Sequence, residues 1–200
     1  MAESVWKSTL EGFRAQVAGL DPVPAGVSAA AVSASLGIAL LIKVLAIAKT
    51  HSDSQEIDDL MNSARVELER LELNADDDIA AYGSYITARR LPKGAHRDEA
   101  VAAALHQAIE VPLRAARAAT AGLELCTKAA PLTPANIAPD LGSAAFLLTG
   151  AVRAILLSVD SNLLQLADPA FQNTVENERE QLCRNAEWLA DSVLEALRNQ

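Results

Sequence analysis

Aromatic side chains are scarce in this chain: two Trp, two Tyr and three Phe, 4% of 200 residues. A core must therefore be packed from Ala, Val, Leu and Ile, and such small side chains favour close helix–helix approach. Positive charge is also in deficit, with 17 Lys and Arg against 26 Asp and Glu and a net charge of −9. That balance speaks against a nucleic-acid partner, whose phosphates need concentrated Lys and Arg, and against an anionic membrane surface. The two cysteines, Cys126 and Cys183, form no CxxC motif. They can pair only if the fold brings them together, and a reduced, cytoplasmic setting is the simpler expectation. At the N-terminus no basic segment leads directly into an apolar one, so it does not read as a signal peptide. Strand-like alternation of useful length is missing, as are internal repeats, HExxH, GxSxG, a P-loop and GxGxxG.

What is present is helical. Ser4 is placed to cap a first helix whose Trp6, Leu10, Phe13, Val17 and Leu20 make one apolar stripe. Asp21-Pro22-Val23-Pro24 stops it, because proline lacks a donor and disfavours helix in the preceding residue. Ser28 then reads as the N-cap of an apolar helix running to about Thr50, uncharged from Ala29 to Ile42 and holding Lys43. The run approaches bilayer-spanning length. Its many Ala, Ser and Gly gain little from lipid, however, and Lys43 would be costly there, so a central helix buried on all sides is expected.

Asp53 with Glu56 fits a capping box. From there, Ile57, Leu60, Ala64, Leu68, Leu71, Ala75 and Ile79 keep the helical period, which predicts one long helix or two broken near Asn74 to Asp78. Leu91-Pro92-Lys93-Gly94 ends it. Asp98 to Lys128 predicts an alanine-rich helix kinked or broken at Pro112, followed by an irregular stretch over 129–140. Leu141 to Leu166 predicts a second strongly apolar helix. Asp168-Pro169 predicts a cap and N1 proline for a last helix with the stripe Leu182, Ala186, Leu189, Val193 and Leu197. The expectation is a single all-α domain over 1–200, a multi-helix up-and-down bundle around the apolar helix at about 28–50. Helices 29–48 and 141–166 are too apolar to stand half-exposed, so a homodimer is expected to bury part of one.

Few residues suggest chemistry. His106 and Glu110 stand at i, i+4, but two ligands do not make a metal site, and a solvated surface pair is the reading; His51 and His96 fall in loops. The carboxylates are more informative. Asp76-Asp77-Asp78 precede Ile79, Ala80, Ala81 and Tyr82, so one aspartate can point inward while the others face water. Asp140 opens the second apolar helix and Asp160 lies within it. Two inward carboxylates brought together would suit acid–base work, their proton affinities split by burial and repulsion. The simpler alternative makes Asp140 an N-cap and Asp76–Asp78 a solvated turn. Lys43 is a further catalytic candidate, as a base or imine former; alternatively it pairs with an acid or snorkels to the surface.

A set of short motifs follows in order: Pro24-Ala25-Gly26-Val27-Ser28 before Ala29-Ala30-Ala31, Asp78 before Ala81-Tyr82, Leu91-Pro92-Lys93, and Val111-Pro112-Leu113. Then come Asn136 to Asp140, Ser158-Val159-Asp160-Ser161-Asn162 and Asp168-Pro169-Ala170-Phe171. Their order and spacing, from the first helix to about Phe171, resemble the family of formimino-tetrahydrofolate cyclodeaminases and methenyl-tetrahydrofolate cyclohydrolases. The resemblance implies an all-helical homodimer that binds a reduced folate. It also implies opening or closure of the one-carbon bridge between N5 and N10, with no metal or redox cofactor. On it, Asp78 and Asp140 are the acid–base pair. Gly26, Val27, Ser28, Tyr82, Asn136, Ser158 and Asn162 are the substrate-binding positions, with Asn136 and Asn162 orienting the substrate amide and bridge.

The chain departs from the family's pattern in its polar motifs. Ala25 and Val27 replace two glycines of a Pro-Gly-Gly-Gly turn, and a β-branched valine forbids much of the backbone freedom glycine allows. Lys43-Val44-Leu45-Ala46 stands for Met-Val-x-Asn, Thr133-Pro134 for Gly-Asn, Pro139 for the Ser of Ser-Asp, and Ser158 for an asparagine. This pattern implies an altered pocket on a kept fold. Two alternatives therefore stand beside the folate reaction: another cyclisation or imine/amidine-type reaction on the same fold, for example in specialised metabolite biosynthesis, and a non-catalytic small-molecule-binding dimer.

Overall fold

A computed structural model of the chain describes residues 4–52 and 54–199. They form six α-helices: α1 (Leu10–Val17), α2 (Gly26–His51), α3 (Gln55–Arg89), α4 (Ala95–Ala129), α5 (Ala138–Leu163) and α6 (Pro169–Arg198). Short 3₁₀ turns lie at Val5–Lys7, Ala130–Leu132 and Ala135–Ile137, and no strand occurs among the described residues. Of the two alternatives for 55–91, the single long helix is the one observed. α4 runs on through Pro112, and the stretch over 129–140 is tightened into two 3₁₀ turns. The Asp168 carboxylate accepts from the Phe171 N–H at 3.1 Å, the cap expected of Asp168-Pro169.

α2 and α5 pack antiparallel on each other at the centre, with α3, α4 and α6 around them. Ile38, Leu41 and Leu45 of α2 and Leu141, Leu148 and Ile155 of α5 are fully buried. Two glycines permit the close approach. A Cβ on Gly37 would lie 3.0 Å from Leu148 Cγ and 3.2 Å from the Ala144 carbonyl, and one on Gly122 of α4 would lie 2.4 Å from Ile38 Cδ1. Neither α2 nor α5 is covered on all sides. Leu36 is 55% exposed, Phe146 62% and Leu157 67%, and these side chains belong to one outward face of the α2/α5 pair. Both helices are long and apolar enough to cross a membrane by length and composition, but half of each such stretch is buried inside the bundle.

Three local expectations are corrected. Ser28 does not cap α2: the helix begins at Gly26 with Ala25 at the cap position, and Ser28 is fully buried one turn in. Asp140 is not an N-cap either. Ile137 holds that position, and Asp140 sits in the first turn of α5. The N-terminal stripe is not one packed helix, because Thr9 accepts from the Gly12 N–H and starts a new helix after the 3₁₀ turn. Leu10 and Leu20 are left exposed, while Val5, Trp6 and Phe13 dock against Ala31, Ala75 and Ile79. The capping expectation for Asp53 lies outside the described residues; Ser54 accepts from the Ile57 N–H at 3.3 Å and starts α3.

Candidate functional site

The three consecutive aspartates of α3 have three different fates. Asp76 accepts from the Val5 N–H at 3.0 Å, which ties the N-terminal turn to α3. Asp77 faces outward and pairs with Arg114 at 2.8 Å. Asp78 turns toward α2, where the Ser28 hydroxyl lies 3.1 Å from its Oδ2 and 3.4 Å from the Ala75 carbonyl. A helix step of about 100° per residue is enough to separate the three directions. Burial pushes the Asp78 carboxyl up from its ordinary value, and the Ser28 hydrogen bond takes back part of that shift.

Asp78 opens into a cleft of about 160 Å³ between α3, α4 and the end of α5. Tyr82 and Tyr85 continue its α3 wall, Leu105 and Ala108 form the α4 wall, and Asn162 and Gln165 close it. Asn162 Nδ2 donates to the Ala108 carbonyl at 2.7 Å, which fixes the amide against α4. At the rim Arg89 donates to the Tyr85 hydroxyl at 3.2 Å, and Tyr85 donates to Gln165 Oε1 at 3.1 Å. Tyr85 and Gln165 were not singled out from the sequence. Tyr85 stands seven residues after Asp78 and three after Tyr82, so helical spacing alone puts it on that face. The arrangement offers a half-buried carboxyl able to hold or take a proton, a hydroxyl bonded to it, and an amide to orient a ligand.

The structure thus brings together Ser28, Asp78, Tyr82 and Asn162, but it does not bring Lys43, Asp140 or Asn136 to them within one chain. Lys43 Nζ and Asp140 Oδ2 are 2.5 Å apart, with side chains 57% and 33% exposed. Asn136 is exposed in the 3₁₀ turn just before α5. At 1.5 Å per residue, α2 carries Lys43 about 22 Å from Ser28. Asp140 and Asn162 likewise sit near opposite ends of α5. The cause is simple: both helices are continuous, so residues at their two ends cannot meet. Ser158 is half-buried one turn before Asn162. Val27 is buried in the first turn of α2, and Gly26 lies exposed at its start.

Other polar groups are engaged elsewhere. A larger groove of about 590 Å³ is lined by Arg70, Asn74, Asp77, Arg114 and Arg117. Its cations are already answered, Arg114 by Asp77, Arg117 by Glu178 and Glu110, and Arg70 by Glu67. Asp160 is held by Arg179 through two 2.9 Å bonds and does not reach the cleft. His106 packs edge-on to Phe171 at 4.4 Å while Glu110 turns to Arg117, so the two do not converge. No group of three or more His, Cys, Asp or Glu suited to a metal ion occurs among the described residues. Cys126 and Cys183 are free thiols, and burial pushes Cys126 up to about 12.

Comparison with known proteins places the fold in a family. Residues 9–181 match the family described as formiminotransferase-cyclodeaminase. A methenyltetrahydrofolate cyclohydrolase of Methylorubrum extorquens is 29% identical over 96% of this chain and 97% of its own length. A formimidoyltransferase-cyclodeaminase of Dictyostelium discoideum is 30% identical over 62% of this chain, which spans 23% of that longer protein. The crystal structure of formiminotetrahydrofolate cyclodeaminase from Thermotoga maritima superposes with a TM-score of 0.89 at 21% identity, covering 98% of both chains.

Proposed function

The chain belongs to the formiminotransferase-cyclodeaminase family, and we propose that it opens or closes the N5–N10 one-carbon bridge of tetrahydrofolate by acid–base catalysis at Asp78. The observation that carries the reading is the half-buried Asp78, bonded to Ser28 and facing a cleft with Asn162 on its far wall. The relative that matches along nearly the whole chain carries the name of a cyclohydrolase, so we write the reaction as hydrolysis. Asp78 takes a proton from water as the water oxygen bonds to the methenyl carbon. The resulting tetrahedral carbinol collapses as the C–N5 bond breaks: N5 receives the proton held by Asp78, the hydroxyl proton passes to solvent as the C=O forms, and the formyl group stays on N10. In the cyclodeaminase reaction N10–H adds to a formimino carbon, the N10 proton passes to the formimino nitrogen, the same carboxyl adds a second proton there, and the C–N bond breaks to release ammonia and leave the methenyl bridge. No atom changes oxidation state, so the reading calls for no redox cofactor.

A homodimer belongs to the same reading, supported by the uncovered apolar face of α2 and α5. So does a reduced, cytoplasmic setting, supported by two free thiols. A second reading, a different imine or amidine substrate on the same fold, is supported by the buried Val27 where the family's turn has glycine. The near-ultraviolet absorbance of 5,10-methenyl-tetrahydrofolate tests the first. Loss faster than in buffer supports it, and a buffer rate with folded protein overturns it.

A further inference from the structure

The cleft that Asp78 opens into has a charge gradient along its walls. On α3, Asp78, Tyr82, Tyr85 and Arg89 stand at steps of four, three and four, which puts them on one face of the helix. On α4, which runs back alongside α3, Ala108, Leu105, Val101 and Arg97 keep a similar spacing in the opposite direction. Both walls thus pass from the acid's end over rings or aliphatic side chains and finish on an arginine. The two arginines meet there: Arg97 Nε donates to the Arg89 carbonyl at 3.4 Å. Arg89 folds back over the Tyr85 ring, 5.8 Å from its centre, and donates to its hydroxyl at 3.2 Å. No Asp or Glu occurs between Asp78 and Asp98, a stretch holding Arg89, Arg90, Lys93 and Arg97 in a chain of net charge −9. Among the described residues neither Arg89 nor Arg97 is in an ion pair, whereas Arg70, Arg114, Arg117 and Arg179 each face a carboxylate.

From this we propose that Arg89, with Arg97 beside it, takes the carboxylate tail of the ligand whose reacting end meets Asp78, and so selects for substrates that carry such a tail. The inference rests on the reading of Asp78 as the catalytic carboxyl and assigns a specificity-determining residue to the same cleft. Geometry limits where a tail can go. The Asp78 end is shut by α2, where Ser28 is fully buried. The cleft, at about 160 Å³, is smaller than the roughly 300 Å³ at which pockets for whole ligands begin, so the rest of a long ligand leaves past Tyr85. There one 3.1 Å hydrogen bond, from Tyr85 to Gln165, spans the rim, and Arg89 bonds the same hydroxyl. Length agrees as well. Arg89 is eleven residues beyond Asp78 and its guanidinium reaches back one turn to Tyr85, which sets it about 10 Å from the acid along the helix axis. That is close to the span between the bridge carbon of a folate and its tail carboxylates. Tyr82 and Tyr85 line the path between the two ends and supply flat, apolar surface for an aryl group. An arginine held by a phenol instead of an acid keeps its charge for a ligand, and its planar fork suits the two oxygens of a carboxylate.

Isothermal titration with tetrahydrofolate and with tetrahydropteroate, the same ring system without the glutamate, tests this without turnover. Wild type is expected to bind the tailed ligand about 10-fold more tightly, the low end of what a hydrogen bond between charged groups supplies. Arg89→Ala is expected to bring the two affinities together by weakening tetrahydrofolate alone, and Arg89→Glu to place tetrahydropteroate ahead. Arg65→Ala removes an exposed arginine 24 residues earlier on the same helix and keeps the wild-type preference. A purely structural role for Arg89 would weaken both ligands together, and that result overturns the proposal. So do equal affinities in wild type, a preference that Arg89→Ala leaves intact, and binding of neither ligand. A tail preference that depends on Arg89, in a protein that does not turn over 5,10-methenyl-tetrahydrofolate, sinks the reaction and leaves this assignment standing. Turnover without such a preference does the reverse.

Discussion

The Ser28 hydroxyl meets the Asp78 carboxylate at 3.1 Å across the α2–α3 contact, fixing a half-buried acid at the mouth of a cleft. Burial raises its proton affinity and the serine lowers it, so the pair tunes one titration from two sides. Removing the hydroxyl in Ser28→Ala removes only the lowering part. If Asp78 is the base, the acid limb of a kcat/KM–pH profile then moves to higher pH. A profile that does not move would show that Asp78 does not set that limb.

Stability should carry the same signature. The folded Asp78 binds its proton more tightly than the unfolded chain does. Its contribution is fully present below the ordinary value of 3.8 and is lost as pH rises through the raised folded value. Glu178 acts with the opposite sign. The hydrogen bonds from Arg117 lower it, so its contribution is present above the ordinary 4.5 and lost as pH falls through the depressed value. Urea midpoints measured from pH 3 to 7 should therefore lose a downward slope in Asp78→Asn and lose part of the acid instability in Glu178→Gln.

Gly37 packs tightly against α5, and the Ala144 carbonyl facing it cannot swing aside as a side chain can. Gly37→Ala is expected to cost about 1–3 kcal/mol, the usual range for overpacking a tight core. At Gly122 the nearest atom is the flexible tip of Ile38, but both Leu148 methyls stand at 3.2 and 3.3 Å behind it, so Gly122→Ala falls in the same range. Denaturant titration with an unchanged m-value reads both.

Much of the fold was legible because local rules agreed with one another. The periodic stripes, the Asp168 cap and the proline stops set most helix ends to within a few residues of those observed. That one of Asp76, Asp77 and Asp78 turns inward was legible from the apolar residues after them, and the family resemblance singled out Asp78; its neighbours Ala81 and Tyr82 share its face. Ser28 was misread for a physical reason: a serine after a Pro/Gly turn fits a cap, and only the packing of α2 on α3 gives its hydroxyl a buried partner. Lys43 and Asp140 were legible as special but not as distant from Asp78. Their separation follows from α2 and α5 being unbroken and antiparallel, which is a property of the assembled bundle. The N-terminal stripe misled because period alone does not say whether a face finds a neighbour, and Thr9 breaks the helix before it can.

The central claim is that Asp78 moves the proton. The most direct test is the kcat/KM of wild type and Asp78→Asn for 5,10-methenyl-tetrahydrofolate hydrolysis, with both proteins confirmed folded by circular dichroism. An active wild type and a loss of about 10²–10⁴-fold in the variant, the range for removing a general acid or base, is the predicted result. Equal rates in the two proteins would contradict it.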